Sequence, residues 1–250
     1  MKLPSNNLKE MNDVKRQLVF SINNEGELVD AGVIAEMGHL GKLYKYQLIN
    51  EKKIKLISKI IHYLDKFWII IPNDLELERL LWEEFYAFFG NEYEQLIDIN
   101  HNINCLEYLI DLLEKGNLLN SESEILDFGC GTGLSTKIQT PYHMFGYDIN
   151  QIVCEQAQKK GMQTLSEAEF QMIPAGSFDG CIASYVLHMA ISREVIIKIK
   201  DILKPGGILV ANYYKNIGAK RVNSILIEEG VYPQLVGEKT RYGSVYVYRK

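Results

Sequence analysis

The sequence feature that most constrains this chain is a cluster of glycines directly after a short apolar segment. Residues 124–133 read Glu-Ile-Leu-Asp-Phe-Gly-Cys-Gly-Thr-Gly. An apolar strand that runs into closely spaced glycines lets the backbone bend tightly and approach a ligand. A helix that begins after the glycines would offer unpaired N–H groups to a negatively charged group. This arrangement predicts a nucleotide-type pocket at the end of a parallel strand.

The spacing of these glycines also argues against one large class of enzymes. The fingerprint of dinucleotide-binding proteins is G-x-G-x-x-G, and its third glycine would stand at Leu134. A nicotinamide-dependent dehydrogenase is therefore disfavoured.

The chain divides near residue 120 into two parts with different apolar patterns. Before this point, apolar residues recur at helical spacing over 54–64, 77–88 and 106–113, with one short predicted strand at Phe67–Ile71. After it, short apolar runs alternate with helical segments, as in a parallel α/β sheet. The first 120 residues are therefore predicted to be mainly helical, and residues 121–250 to form an α/β domain.

Five segments of the second part, in sequence order, resemble the motifs of the class I S-adenosylmethionine-dependent methyltransferases of the small-molecule type. The segments are 127–133, 145–150, 167–169, 178–188 and 203–209. The resemblance implies a Rossmann-like α/β fold with a seven-stranded sheet. It also implies S-adenosylmethionine as the cofactor, S-adenosylhomocysteine as its product, and a region 1–120 that covers the substrate or forms an interface.

By this resemblance, one group of residues holds the amino-acid end of the cofactor. Gly129 and Gly131 permit its close approach. Asp127 orders the glycine loop and reaches the cofactor's amino group, although a purely structural carboxylate is the alternative. The other residues expected at this end are Cys130, Ala183 and Ser184.

A second group is expected at the adenosine. A carboxylate after the second strand, Asp148, can accept both hydroxyls of a ribose. Ile149 follows it and is included in the cofactor site. Glu167 would accept from the adenine amino group while the Ala168 N–H meets a ring nitrogen. Glu169 is a neighbouring competitor for the role of Glu167.

The sequence indicates the acceptor site less clearly than the cofactor site. Methyl transfer from a sulfonium is an in-line displacement that needs a base only when the acceptor must lose a proton. His188, after the predicted fourth strand, is the first candidate for a base or an orienting group. Packing against the next helix is its alternative role, and His101 is the rival candidate. Tyr93, at the polar end of an aromatic-rich stretch, is predicted to face the substrate pocket.

Composition limits the remaining classes. The chain has 27 Lys and Arg against 32 Asp and Glu, so no general attraction toward nucleic acid is evident, and we expect a small-molecule acceptor of biosynthetic metabolism. An RNA or protein methyltransferase and a non-catalytic cofactor-binding protein stay open. Four cysteines without C-x-x-C spacing predict neither a metal site nor disulfides. With no apolar signal segment or membrane-length run, we expect a soluble, cytoplasmic monomer or homodimer.

Overall fold

The computed structural model divides into two compact units, Met1–Leu96 and Ile97–Lys250. The division lies before the predicted boundary near residue 120, because the last helix of the predicted N-terminal region packs on the sheet of the second unit. The structure describes residues 18–21, 32–36, 42–45, 59–63, 67–71, 82, 93–117, 119–189, 191–214 and 218–250.

The first unit contains a five-stranded sheet. Its strands are β1 (Leu18–Ser21), β2 (Gly32–Glu36), β3 (Lys42–Lys45), β4 (Lys59–Tyr63) and β5 (Phe67–Ile71), and a short helix α1 (Tyr93–Leu96) follows. The strand order is β2-β3-β1-β5-β4. β1 runs parallel to β5, whereas the other neighbours in this sheet are antiparallel.

The isoleucine-rich segment 54–64 forms a strand, not a helix, in its described part. Residues Lys59–Tyr63 pair antiparallel with Phe67–Ile71. The helix predicted there is wrong, because β-branched residues favour extended backbone and a short apolar run carries no clear period. The strand predicted at Phe67–Ile71 is confirmed. The helix predicted over 77–88 lies outside the described residues, apart from the helical Trp82.

The second unit is built on a seven-stranded sheet. Its strands are β6 (Glu124–Phe128), β7 (His143–Tyr147), β8 (Gln163–Leu165), β9 (Phe178–Ala183), β10 (Leu203–Tyr213), β11 (Pro233–Thr240) and β12 (Gly243–Arg249). The order is β11-β12-β10-β9-β6-β7-β8, and β12 is antiparallel to both of its neighbours while the other pairs are parallel. The predicted seven-stranded, Rossmann-like sheet is thus confirmed.

Helices cover both faces of this sheet. They are α2 (Ile99–Gly116), α3 (Gln151–Lys159), α4 (Glu167–Met172), α5 (Arg193–Ile202) and α6 (Ala219–Glu228). Alternation along the strands produces two cores: Ile208 and Val210 pack with α2, whereas Leu209 and Ala211 pack with α5 and α6. The helix expected after the glycines is a single 3-10 turn, Leu134–Lys137, since β7 already begins at His143.

Local sequence sets the ends and faces of the helices. Asp98 caps α2 by accepting the His101 N–H at 2.9 Å, and Ser192 caps α5 by accepting from the Val195 N–H. The predicted apolar stripe of α2 is buried: its members are Cys105, Leu106, Leu109, Ile110 and Leu113. Burial of this stripe against β9 and β10 fixes α2 on the sheet.

One edge of the sheet collects the predicted site residues. The parallel strands β6, β7, β9 and β10 all end there. Ser244 pairs with Tyr213, the last residue of β10, so the turn between β11 and β12 lies at the same edge. The first turn of α2 joins it, because His101 contacts Tyr185 just beyond β9. In doubly wound sheets this edge is where ligands bind.

Candidate functional site

The glycine loop, residues 129–133, is held against the end of the second parallel strand. The N–H groups of Gly129 and Cys130 both donate to the Tyr147 carbonyl, at 2.7 and 3.0 Å. Gly129 has a φ of 74°, and a Cβ there would come within 2.6 Å of Val186. The requirement for glycine at this position therefore comes from both backbone conformation and packing.

Gly131 differs from Gly129 because the space beside it is open. Its φ is 53°, and a Cβ built there would meet nothing within 4 Å. Its N–H points to the next strand end, where it donates to Asp148 Oδ2 at 3.0 Å. The loop thus leaves room for a ligand beside the backbone of Gly131, where no side chain of the described residues fills the space.

Asp148 is half-buried directly after β7 and has accepting capacity to spare. Besides Gly131, the Asn150 N–H donates to its Oδ1 at 2.9 Å. Burial raises the pKa of the Asp148 carboxyl, against the effect of these two hydrogen bonds. A carboxylate offers about four lone-pair positions, so about two remain for the hydroxyls of a ligand.

Asn150, which the sequence analysis did not assign to the site, adds a donor beside this carboxylate. Its Oδ1 caps α3 by accepting the Ile152 N–H at 3.0 Å. Its Nδ2 is buried and has no hydrogen-bond partner in the part of the chain that the structure describes. A buried unpaired donor indicates a missing partner, and the asparagine directly after the acid-bearing strand was the available sequence signal.

Ile149, predicted as a cofactor residue, is 57% exposed. A large apolar side chain in this position gives a surface on which a flat apolar group can lie. Asp148, Ile149 and Asn150 therefore offer an acceptor, an apolar face and a donor within one short segment.

Asp127, the last acidic residue before the glycine loop, is 2% exposed. Ser135 Oγ donates to its Oδ2 at 2.5 Å. Burial raises the pKa of Asp127 to about 6; the Ser135 hydrogen bond opposes this rise and the Asp148 charge adds to it. No ion pair to Asp127 occurs within the described residues, so a cationic group would stabilise its charged form.

The first turn of α4 distinguishes the two competing glutamates. Glu169 forms a capping box with Ser166, so its carboxylate is engaged at the helix end. Glu167 instead accepts from the Tyr147 hydroxyl and, at 2.8 Å, from Gln171 Nε2. The exposed Glu167 is thereby oriented next to the end of β7, and the exposed Ala168 follows it with its backbone in the same helical turn.

Cys130 is a buried thiol without nucleophilic character. A hydrogen bond with Cys154 raises its pKa, and burial and the nearby carboxylates of Asp127 and Asp148 raise it further. A protonated thiol is a poor nucleophile. The structure therefore favours a packing role for this side chain within the loop.

The chain reverses at the end of β9, where Ala183 and Ser184 were predicted to meet the cofactor. Ala183 is buried and Ser184 is half-buried, with Ser184 Oγ at 3.8 Å from Cys105 Sγ. The next residue, Tyr185, has a φ of 53°, which is unusual for a residue other than glycine. Its N–H donates to Asn212 Oδ1 at 2.8 Å.

An aromatic cluster of His101, Tyr185 and Tyr242 lies beside this reversal. His101 Nε2 and the Tyr185 hydroxyl are 3.0 Å apart, and the rings of His101 and Tyr242 have centroids 5.3 Å apart. Arg241 lies over the Tyr242 ring, 4.6 Å from its centroid. His101 was predicted only as the rival of His188, and neither tyrosine was assigned a role, because only the tertiary fold brings the three elements together.

His188 and Tyr93 have different surroundings. His188 is half-buried in the loop after β9, and its backbone lies so close to Gly218 that a Cβ there would come within 2.5 Å of the His188 Cα. Tyr93 is half-buried in α1 of the first compact unit. The roles predicted for both stay predictions.

No group of three or more His, Cys, Asp or Glu side chains in the described part of the chain is arranged to hold a metal ion. Among the helices that the structure describes, none is long and apolar enough to cross a membrane.

Part of the second unit is similar in sequence to known proteins. Residues 126–211 match the family described as "Methyltransferase domain". A stretch of 151 residues is 30% identical to the hybrid PKS-NRPS synthetase poxE of Penicillium oxalicum and covers 53% of this chain. The match covers 4% of that synthetase, so the chain spans a small fraction of its relative.

Solved structures also match part of this chain. One belongs to a complex between the Haloferax volcanii Trm112 methyltransferase activator and a methyltransferase, with a TM-score of 0.51 and 12% identity over 66% of this chain and 96% of that chain. Another is the N-methyltransferase NodS from Bradyrhizobium japonicum in complex with S-adenosyl-L-homocysteine, with a TM-score of 0.48 and 17% identity over 63% and 91% of the two chains.

Proposed function

We infer that this chain, whose residues 126–211 match a methyltransferase domain, is a class I S-adenosylmethionine-dependent methyltransferase that transfers the methyl group of S-adenosylmethionine to a small-molecule acceptor. The observation that carries this proposal is the unfilled set of groups at the ends of β6 and β7. Open space beside Gly131, spare lone pairs on Asp148 and an unpaired donor on Asn150 lie together there.

These residues fit the adenosine end of S-adenosylmethionine. Asp148 would accept the ribose hydroxyls, and the Asn150 amide would donate to the same sugar or to the base. The exposed Ile149 side chain would lie against the adenine ring. Glu167, oriented by Tyr147, would accept from the adenine amino group, with the Ala168 N–H toward a ring nitrogen.

The same edge fits the amino-acid end. Asp127 is a buried carboxylate, and a cationic partner such as an ammonium group would offset the cost of burying its charge. Gly129 keeps the loop packed against Val186, and the open space beside Gly131 would let the chain approach the cofactor closely. The backbone at Ala183 and Ser184 would border the methionine moiety.

Bound S-adenosylmethionine supplies a methyl group that is already activated on a sulfonium. The chain's own contribution is therefore to position the acceptor in line with that methyl group and to exclude water. We propose that residues 1–120 cover the acceptor or form a subunit interface, with Tyr93 at the pocket.

A small-molecule acceptor of biosynthetic metabolism is supported by the net charge of −5, which offers no general attraction for RNA. The similarity to a PKS-NRPS synthetase segment is in keeping with this class. An RNA or protein substrate is the alternative, and a non-catalytic binding protein is a further one.

Isothermal titration with S-adenosylmethionine and S-adenosylhomocysteine, followed by transfer of a tritiated methyl group to small molecules, RNA and protein, tests the proposal. Micromolar binding and label in a small molecule are expected. Absence of binding would refute the proposed cofactor, and label in RNA or protein would refute the proposed acceptor class. Binding without any transfer would favour the non-catalytic alternative.

A further inference from the structure

We propose that the aromatic cluster of His101, Tyr185 and Tyr242 holds the attacking atom of the acceptor, and that this atom is a hydroxyl oxygen or an N–H nitrogen whose proton leaves through Tyr185 to His101. The proposal rests on the proposed function and adds the chemical class of the acceptor to it.

The position of the cluster is the first argument. Tyr185 follows Ser184 just beyond the end of β9, where the backbone would border the methionine moiety of the proposed cofactor. Tyr242 lies in the turn before β12, which the pairing of Ser244 with Tyr213 places at the end of β10. His101 lies in the first turn of α2. An acceptor in line with the methyl group would therefore meet side chains of all three elements.

The Tyr242 hydroxyl lacks a partner among the described residues, which is the second reason for the proposal. Tyr242 is 5% exposed, and its hydroxyl has no hydrogen-bond partner within the described residues. Buried hydroxyl groups are nearly always paired, because an unpaired one has lost water without compensation. A polar atom of a bound acceptor would supply the missing partner.

A buried asparagine holds the two tyrosines in register, which is the third argument. Asn212 is fully buried; its Oδ1 accepts the Tyr185 N–H at 2.8 Å and its Nδ2 donates to the Tyr242 carbonyl at 2.9 Å. The positive φ of Tyr185 is an unfavourable conformation for a side chain of this size. A strained residue fixed by a dedicated buried amide indicates that its orientation is used.

The hydrogen bond between Tyr185 and His101 defines the path of the proton. Burial raises the pKa of Tyr185, so this hydroxyl keeps its proton near neutral pH and does not serve as the base by itself. It can receive a proton from the acceptor while it passes its own to His101 Nε2, 3.0 Å away. A neutral imidazole nitrogen carries a lone pair that can take up this proton.

The step balances in atoms and charge. The acceptor lone pair forms the bond to the methyl carbon, and the carbon–sulfur bond breaks with its electron pair left on sulfur, as the neutral thioether. The acceptor proton moves to the Tyr185 oxygen, and the Tyr185 proton moves to His101. The positive charge lost from the sulfonium thus reappears on the imidazolium.

The test uses the full chain with tritiated S-adenosylmethionine and two panels of acceptors. Phenols, alcohols and primary amines must lose a proton on methylation, whereas carboxylates, tertiary amines and thioethers need not. The variants are Tyr185→Phe, His101→Gln and Tyr242→Phe. The matched control is Tyr108→Phe. The Tyr108 ring packs on the Tyr242 ring with centroids 5.6 Å apart, and Tyr108 has no assigned role in the site.

We expect label in the first panel. Tyr185→Phe and His101→Gln should each lower kcat by about a hundredfold or more, as loss of a proton path does. Tyr242→Phe should raise the acceptor KM by about tenfold with less effect on kcat, as loss of one hydrogen bond does. The control should match the wild type, and every variant should bind S-adenosylhomocysteine within about twofold of the wild-type affinity, a change well below one hydrogen bond.

Three results would overturn the inference while leaving cofactor binding intact. They are label in the second panel alone, label in neither panel, and wild-type turnover in both Tyr185→Phe and His101→Gln. Failure of the wild-type chain to bind S-adenosylhomocysteine would instead overturn the proposed function, so the two failures are distinguishable. Because Tyr185 and His101 belong to different elements, misfolding of one variant leaves the other to decide.

Discussion

Binding of S-adenosylhomocysteine should weaken as the pH falls through about 6, because Asp127 loses its charge there. Burial raises the pKa of this carboxyl to about 6, with the Ser135 hydrogen bond acting against the rise and the Asp148 charge adding to it. An ammonium group prefers the ionised carboxylate. The complex is therefore favoured above this pKa, and the ion pair is lost below it.

The size of the effect follows from the pKa. If only ionised Asp127 holds the ammonium, its ionised fraction is about 0.9 at pH 7 and about 0.1 at pH 5, so the affinity falls about tenfold, or about 1.4 kcal/mol. Binding near pH 6 should also release about half a proton, because the ligand drives the carboxyl to its ionised form.

Calorimetric titrations at pH 5, 6 and 7, in buffers of different ionisation enthalpy, measure both quantities. Burial also raises the pKa of Asp148, so the Asp127→Asn protein keeps whatever pH dependence Asp148 contributes. The difference between the two proteins is then the share of Asp127. An affinity that is flat from pH 7 to 5, or a pH dependence unchanged in Asp127→Asn, would refute the reasoning.

Further predictions concern the same edge of the sheet. Gly131→Ala should weaken S-adenosylhomocysteine binding by about tenfold or more, and the positive φ should also cost about 1 kcal/mol of stability. Unchanged binding by calorimetry would mean that the ligand does not occupy the open space beside Gly131. Asn150→Ala should lower the free energy of unfolding by about 1 kcal/mol through loss of the α3 cap and should also weaken cofactor binding, whereas Asn150→Asp should restore the cap but not the donor. Asp127→Asn should raise the free energy of unfolding at pH 7 by about 2 kcal/mol and leave it nearly unchanged at pH 4. The reason is that the Asp127 carboxyl ionises at a higher pH in the folded protein than in the unfolded chain, so the wild type loses stability as the pH rises from about 4 to 6. Denaturant unfolding at the two pH values checks this, and an equal change at both would contradict it.

The second unit followed its local sequence closely. The apolar run Glu124–Phe128 and the stripe of α2 form the predicted strand and helix. The Ser192 cap begins α5 as expected. Here periodicity, caps and glycines all favour one structure, and a central parallel sheet buries its strands on both faces.

In the first unit, the helical spacing of apolar residues over 54–64 did not predict the structure that the described residues form. In β4, isoleucines that fit a helical stripe pair instead with the equally apolar β5. The choice depends on a partner strand, which local spacing cannot reveal. The boundary after Leu96 has the same origin, because α2 is attached to the second unit by packing on β9 and β10.

The site divides in a similar way. Asp148 and the glycine loop were predictable because a contiguous motif carries them. The contact of His101 with Tyr185, the unpaired Tyr242 hydroxyl and the Asn212 bridge join residues that are far apart in the sequence. Sequence order favoured His188, which follows β9 directly, whereas the fold brings the remote His101 to the residue after Ser184.

The central claim is that Asp148 holds the ribose of S-adenosylmethionine, and a double-mutant cycle tests it directly. Calorimetry would give the affinities of the wild type and Asp148→Ala for S-adenosylhomocysteine and for its 2′-deoxy analogue, with Glu155→Gln, an exposed change on α3, as the control. The account predicts that Asp148→Ala costs about 1.5–3 kcal/mol in binding, and that loss of the 2′-hydroxyl, which is costly in the wild type, costs little more once the carboxylate has been removed. Penalties that simply add, in a protein that stays folded, would contradict it.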